Sequence, residues 1–215
     1  MQAVEDISHR PMWGLPISSP PMNNPPSDKP ALRRIMKERR AAETAKNPSA
    51  GVALRDLFLK TITLPAHAVV AGYITSDNEI DPAPLMEALH RQGHKLALPV
   101  GGSKDQPLLF RHFTPGDALV PGRHGIAEPA ATISTIEPDV VLVPLLAFDS
   151  YGNRLGRGGG HYDRALILLR QRRKILAIGL ALSVQQMPII PTDSLDARLD
   201  KIVTETEAIE ILKDS

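Results

Sequence analysis

Residues 140–148 of this 215-residue chain, Val-Val-Leu-Val-Pro-Leu-Leu-Ala-Phe, are nine consecutive apolar positions with no charge among them. A run of this length is far short of the roughly 20 residues that a membrane-crossing helix requires. It also lacks the apolar–polar alternation of a strand with one wet face. It reads instead as a strand covered on both faces. Such a strand needs helices above and below it and parallel neighbours beside it.

Other segments fit that plan. Buried strands are predicted at 69–74, 95–100 and 174–182, with a weaker strand signal at 108–113. Helices are predicted at 29–42, where Leu32, Ile35 and Met36 share a stripe, and at 49–61, 84–91 and 162–172. A turn-rich insert occupies 101–129. The order strand, helix, strand, insert, strand, helix, strand predicts an α/β fold. The expected form is a mostly parallel open sheet flanked by helices, a Rossmann-like three-layer sandwich.

Seven of the 20 prolines fall within residues 1–30, among Ser and Asn. Such a segment neither propagates a helix nor buries enough apolar area to offset its ordering entropy. Residues 1–28 are therefore expected to be a disordered tail, with Trp13 inside it, and residues 29–215 a single domain. Lys+Arg 25 against Asp+Glu 24 leaves no global basic field for nucleic acid or anionic lipid. The absence of cysteine removes disulfides, thiolate nucleophiles and zinc-thiolate sites together. With no secretory block at the start, a cytoplasmic protein is expected, a monomer with no membrane and no nucleic acid among its partners.

The chemistry is concentrated after the apolar run, in Gly152-Asn153-Arg154-Leu155-Gly156-Arg157-Gly158-Gly159-Gly160-His161-Tyr162-Asp163. Five glycines between a strand and a helix let backbone N–H groups converge on an anion. The helix that follows adds its own unpaired N–H groups and the positive end of its dipole. Arg154 and Arg157 place two guanidinium forks beside that concavity, suited to phosphate oxygens. A phosphate site at the carboxyl end of a strand follows, where open α/β sheets bind ligands. The spacing matches neither a Walker A loop nor a dinucleotide fingerprint, so generic motifs leave the ligand open.

This stretch, from Pro144 through Phe148-Asp149 to Tyr162-Asp163, resembles the signature of the 5-formyltetrahydrofolate cyclo-ligase (methenyltetrahydrofolate synthetase) family. Weaker marks follow in the family's order. They are Lys29-Pro-Ala-Leu-Arg33, the Ile74 to Glu79 segment, the Gly125-Ile-Ala-Glu128-Pro129 turn, and the segment from Asp196 to Asp200. The resemblance spans about residues 29–206. It implies a ligase that uses ATP and Mg2+ to convert 5-formyltetrahydrofolate to 5,10-methenyltetrahydrofolate, releasing ADP and phosphate. In that chemistry the formyl oxygen attacks the γ-phosphate, and N10 then closes the ring as phosphate departs. Such a transfer asks for positioning and charge neutralisation rather than a protein nucleophile.

By the same resemblance, the ATP-binding residues are Lys29, Arg33, Arg154, Leu155, Gly156, Arg157, Gly158, Gly159, Gly160, His161 and Tyr162. Arg157 and Tyr162 are the catalytic candidates. Arg33, Ile74, Glu79, Arg157 and His161 are implied at the folate, and Asp163 and Asp196 at Mg2+. His161 stands where the family commonly has an aromatic residue, and Leu195 precedes Asp196 where many members have histidine.

Read without the resemblance, Asp163 is a carboxylate complementing a helix N-terminus, worth about 0.3–1 kcal/mol. His90 and His94 read as a solvated helix end, and His112 and His124 have no legible partners. Two other functions fit parts of the pattern. A phosphosugar-binding enzyme or acyl transferase would use the same loop. An RNA-binding module would use residues 29–60, which carry nine Lys/Arg and three Asp/Glu but only one aromatic, Phe58.

Overall fold

The computed structural model describes residues 28–101, 106–122 and 125–211. The tail expected over 1–28 lies outside them except for Asp28. Two helices open the described chain, α1 (Lys29–Lys46) and α2 (Ala50–Thr61). The sheet then alternates with helices through β1 (Val69–Ala71), α3 (Ala83–Arg91), β2 (Lys95–Val100) and β3 (Leu109–Phe113). A ribbon of β4 (Leu119–Pro121) and β5 (Ala127–Pro129) leads to β6 (Val140–Pro144). Then come β7 (Ala147–Phe148), β8 (Arg154–Leu155), α4 (His161–Arg172), β9 (Leu176–Leu180), β10 (Lys201–Val203) and β11 (Ala208–Glu210).

Seven strands form one sheet in the order β11-β10-β9-β6-β1-β2-β3. The five central strands run parallel, and the two edges are antiparallel. The period-2 geometry of strands sorts their side chains onto two faces. Val70, Leu96, Leu98, Val140, Leu142 and Ile178 pack with Leu54 and Phe58 of α2 and Leu85 and Leu89 of α3. Ala71, Ala97, Val141, Val143, Ala177 and Ile202 pack with Ala165, Leu166 and Leu169 of α4 on the other face. The three-layer α/β expectation holds, and β6 is buried along all but its last residue.

The apolar run is not one strand. It leaves the sheet after Pro144, and its last two residues pair antiparallel with β8 in a separate hairpin. The break is held by polar groups: Arg40 Nη1 and Gln185 Nε2 donate to the Leu145 carbonyl at 3.1 and 2.7 Å, and Gln185 also donates to Leu146 O at 3.1 Å. The turn between β7 and β8 is built on the fully buried Asp149, which accepts from Tyr151 N, Asn153 N, Asn153 Nδ2 and Ile190 N. The glycines therefore follow a hairpin and not the central strand. The strand predicted at 69–74 stops at Ala71, the one at 174–182 is trimmed to β9, and α1 runs four residues past 42. The turn-rich insert contains β4 and β5. Residues 183–211, where no element was predicted, contribute the sheet edge β10 and β11.

Along α1 the buried stripe is Leu32, Met36 and Arg40, at i, i+4 and i+8. Leu32 and Met36 meet Leu146, Ala147, Leu155, Met187 and Ile190 in a third core. This fastens α1 across the carboxyl ends of the central strands.

Candidate functional site

One cavity of about 780 Å3 opens at the carboxyl ends of β1, β2 and β6. All of the residues proposed from the sequence line it: Lys29, Arg33, Ile74, Glu79, the 154–163 segment and Asp196. They come from α1, the loop after β1, the β8–α4 loop and the segment before β10, so the fold joins four parts of the chain distant in sequence.

At one end lies the glycine loop. α4 opens at Gly160, whose φ of +63° is left-handed and suits a residue without a Cβ. No side chain caps this helix, so its first N–H groups are left to the loop and to whatever binds there. Arg33 Nε donates to Gly156 O at 2.9 Å, tying the loop to α1. Arg164 Nη2 donates to Gly159 O at 2.9 Å and lies 3.1 Å from His161 Nδ1. Arg154 and Asp163, proposed for phosphate and for metal, are paired with one another at 2.7 Å. The Arg154 side chain is only 4% exposed. Asp163 Oδ1 also accepts from Ala197 N at 3.0 Å, which brings Asp163 beside the segment carrying Asp196.

Lys29 Nζ donates to Asp196 Oδ2 at 2.7 Å and to Asp193 Oδ2 at 2.9 Å. Burial alone would lower its pKa, but the bonds to Asp196 and Asp193 outweigh that and hold it above the ordinary lysine value. Hydrogen bonding from Lys29 holds the Asp193 carboxyl below its usual range.

The other end carries Tyr73, Ile74 and Glu79 after β1, and Pro99 and Val100 at the end of β2. Glu79 Oε2 accepts from Ser76 N at 3.0 Å, and Oε1 lies 3.9 Å from Arg40 Nη1. Burial raises the Glu79 pKa despite the Ser76 N–H and the Arg40 charge. It likewise pulls the Arg40 pKa down. Arg40 Nη2 donates to Asp77 O at 2.6 Å. Burial raises the pKa of Tyr73, whose hydroxyl donates to Ile80 O at 2.8 Å, and of Tyr162. Both phenols therefore stay neutral near pH 7, and that of Tyr73 is already engaged as a donor.

A clasp joins the two ends. Arg157 donates through Nη1 to Ser76 Oγ and through Nη2 to Asp77 Oδ2. Lys37 reaches the same Asp77 oxygen at 3.3 Å. Arg157 is the first-named cause that holds the Asp77 carboxyl below its ordinary range.

Sequence reasoning missed Ser76, Asp77, Asp193 and Arg40. Asp77 and Ser76 stand about 80 residues from Arg157, with no local pattern linking them. Arg40 sits in a helix segment whose many charges read as solvated. The one usable signal was its position on the Leu32–Met36 stripe.

Among the described residues, no group of three or more His, Cys, Asp or Glu could by itself hold a metal ion. Mg2+ beside nucleotide phosphates needs only one or two carboxylates, so Asp163 and Asp196 fit that demand as hard oxygen ligands. Among the described residues no helix is long and apolar enough to cross a membrane.

A model of the 5-formyltetrahydrofolate cyclo-ligase family matches residues 25–205. The 5-formyltetrahydrofolate cyclo-ligase of Escherichia coli strain K12 is 38% identical over 154 residues, covering 67% of this chain and 81% of that protein. The cyclo-ligase of Mycolicibacterium smegmatis is 30% identical over 199 residues, covering 87% and 99%. Among solved structures, the 5,10-methenyltetrahydrofolate synthetase of Aquifex aeolicus superposes with a TM-score of 0.72 at 26% identity, covering 87% of this chain and 94% of that one. With a family match over most of its length and relatives that align along the same fold, the chain belongs to the 5-formyltetrahydrofolate cyclo-ligase family.

Proposed function

We propose that this protein is an enzyme that converts 5-formyltetrahydrofolate to 5,10-methenyltetrahydrofolate at the expense of ATP, releasing ADP and phosphate. The observation that carries the reading is the single cavity with two unlike ends. One is a glycine loop among arginines and a lysine, suited to a triphosphate. The other is an apolar slot with carboxylates, suited to a flat ring with N–H donors. Reaction between the two ligands requires them to meet in one enclosed space, and the Arg157 clasp lies between the ends.

In this reading Arg33, Arg154, Arg157 and the 156–160 backbone hold the ATP phosphates, and Lys29 steadies the Asp193–Asp196 segment beside them. The N5-formyl oxygen attacks the γ-phosphorus and ADP leaves. N10 then attacks the activated carbon, loses its proton, and phosphate departs. Arg157 neutralises charge as it moves from ATP to the imidate phosphate. Tyr162, whose phenol burial keeps neutral, is available to donate a hydrogen bond to the reacting groups. Ile74, His161 and Glu79 border the folate. Asp163 and Asp196 would hold Mg2+, which supplies charge neutralisation at the phosphates.

A monomer is the working unit in this reading. A cytoplasmic setting, with no nucleic-acid partner, fits a reaction on ATP and a reduced folate. The test is direct. Protein, ATP, Mg2+ and 5-formyltetrahydrofolate are mixed and the absorbance of the methenyl product is followed, with ADP counted alongside. One ADP per methenyl group supports the proposal, and no product at any substrate concentration rejects it.

A further inference from the structure

Glu128 lies on the cavity wall, which Pro99, Val100, Leu108 and Ile126 also line. It is half-buried in β5. Its place is set by the backbone: Oε2 accepts from Gly101 N at 3.3 Å, just past the carboxyl end of β2. A Cβ on Gly122 would stand 2.7 Å from that same oxygen, so the carboxylate occupies a space that only glycine leaves open. The ribbon itself is pinned, with Gly122 N donating to Ile126 O at 3.0 Å and Arg111 Nη1 to Pro129 O at 3.0 Å.

The two carboxylates of this end are not equivalent. Glu79 has its side chain 7% exposed, with one oxygen taken by Ser76 N–H and the other facing Arg40. Buried to that degree and facing a cation, it has little surface to offer a ligand. Glu128 makes one long bond to Gly101, lines the cavity and is only half-buried, so it keeps acceptor capacity for a ligand there.

We propose that Glu128 is a substrate-binding residue whose carboxylate accepts the two adjacent donors of the pterin, N3–H and the 2-amino group. The proposal rests on the cyclo-ligase reading above. The chemistry separates the pterin from the other ligand. Two neighbouring donors match two carboxylate oxygens, whereas adenine offers a donor beside an acceptor. A phosphate would be repelled by the carboxylate. The apolar wall of Pro99, Val100, Leu108 and Ile126 suits the faces of a flat ring.

The experiment measures binding by calorimetry on wild type, Glu128→Gln and Glu128→Ala, with a melting curve for each. Ligands are 5-formyltetrahydrofolate, its 2-desamino analogue and ATP. Glutamine keeps the shape but puts an N–H where an acceptor is needed. Folate binding should weaken about 10- to 150-fold in both variants, with ATP affinity changed less than about twofold. The 2-desamino analogue should bind wild type more weakly than the parent, and Glu128→Gln should cost it little further. If alanine fails to fold, the isosteric glutamine decides. Unchanged folate affinity in a folded variant, or an equal loss of ATP affinity, overturns the assignment while the wild-type turnover still supports the reaction. A wild type that binds no folate overturns both.

Discussion

The glycine-loop end and the strand-end side of the cavity answer the same problem, how to hold charge in a protein, in opposite ways. At the loop the charges are plural, mutually paired and, Arg154 apart, partly in solvent. Arg157 is 49% exposed at its side chain, Lys29 23% and Asp193 58%. Exposed pairs contribute little to stability and are screened by salt, so these groups are free to exchange protein partners for phosphate. At the strand ends the charges are few and dry. Arg40 is 1% exposed and holds two backbone carbonyls besides facing Glu79. Charges placed there cannot let go without loss of structure. One end is built for exchange, the other for fixed shape.

The sharpest way to break this contrast is to remove the dry cation. Arg40→Met should cost about 3–5 kcal/mol of folding stability, because Glu79 and the Leu145 and Asp77 carbonyls lose their partner together. Urea unfolding reads this, and a loss below about 1 kcal/mol would place Arg40 with the exchangeable charges.

Asp163→Asn tests the boundary between the two classes. Its partner Arg154 is buried, so stability should fall by about 1–3 kcal/mol. If Asp163 also holds Mg2+, turnover falls at least about 100-fold across a magnesium titration. A lowered melting point with normal turnover would leave it as the partner of Arg154 alone.

Arg157→Ala sharpens the loop side. The ATP concentration needed for half-maximal rate should rise about 10- to 150-fold, with the melting temperature unchanged. The deficit should shrink as salt screens the wild-type arginine. A fall in melting temperature of many degrees would show that the clasp to Ser76 and Asp77 is structural.

The smallest effect is a pH signature of Glu79. Its native pKa is raised by burial, so the native state keeps the proton over a range where the unfolded chain has released it. Wild-type stability relative to Glu79→Gln is then highest below the ordinary carboxylate range and declines as pH rises through the raised native pKa. Melting curves from about pH 3 to about pH 8 read the trend. A wild type that gains on the variant with rising pH would mean that the Arg40 charge dominates after all.

Much of this molecule is written in local pattern. The unalternating run at 140–148 implied a covered parallel sheet; apolar spacing of about 3.6 located the four α-helices of the described residues, and short apolar runs the inner strands β1, β2, β6 and β9. Glycines in series with Arg154, Arg157, His161 and Tyr162 are a local statement too, since the loop, its positive φ values and the following helix lie within a dozen residues. These features are legible because the forces behind them act between near neighbours in the chain.

What tertiary structure alone decided lies where partners are far apart. The apolar run splits after Pro144 because Arg40 and Gln185, 105 and 40 residues from Leu145, capture its carbonyl. Arg154 was read on phosphate from its guanidinium and Asp163 on metal through the family resemblance, and the fold sets the two against each other. Asp77 became the partner of Arg157 only when the loop after β1 met the loop before α4. Glu128 became a cavity wall only when β5 settled beside the end of β2. Composition and periodicity report which residues can be buried. Which buried polar group meets which is a matter of long-range geometry, and a single chain of letters does not carry it.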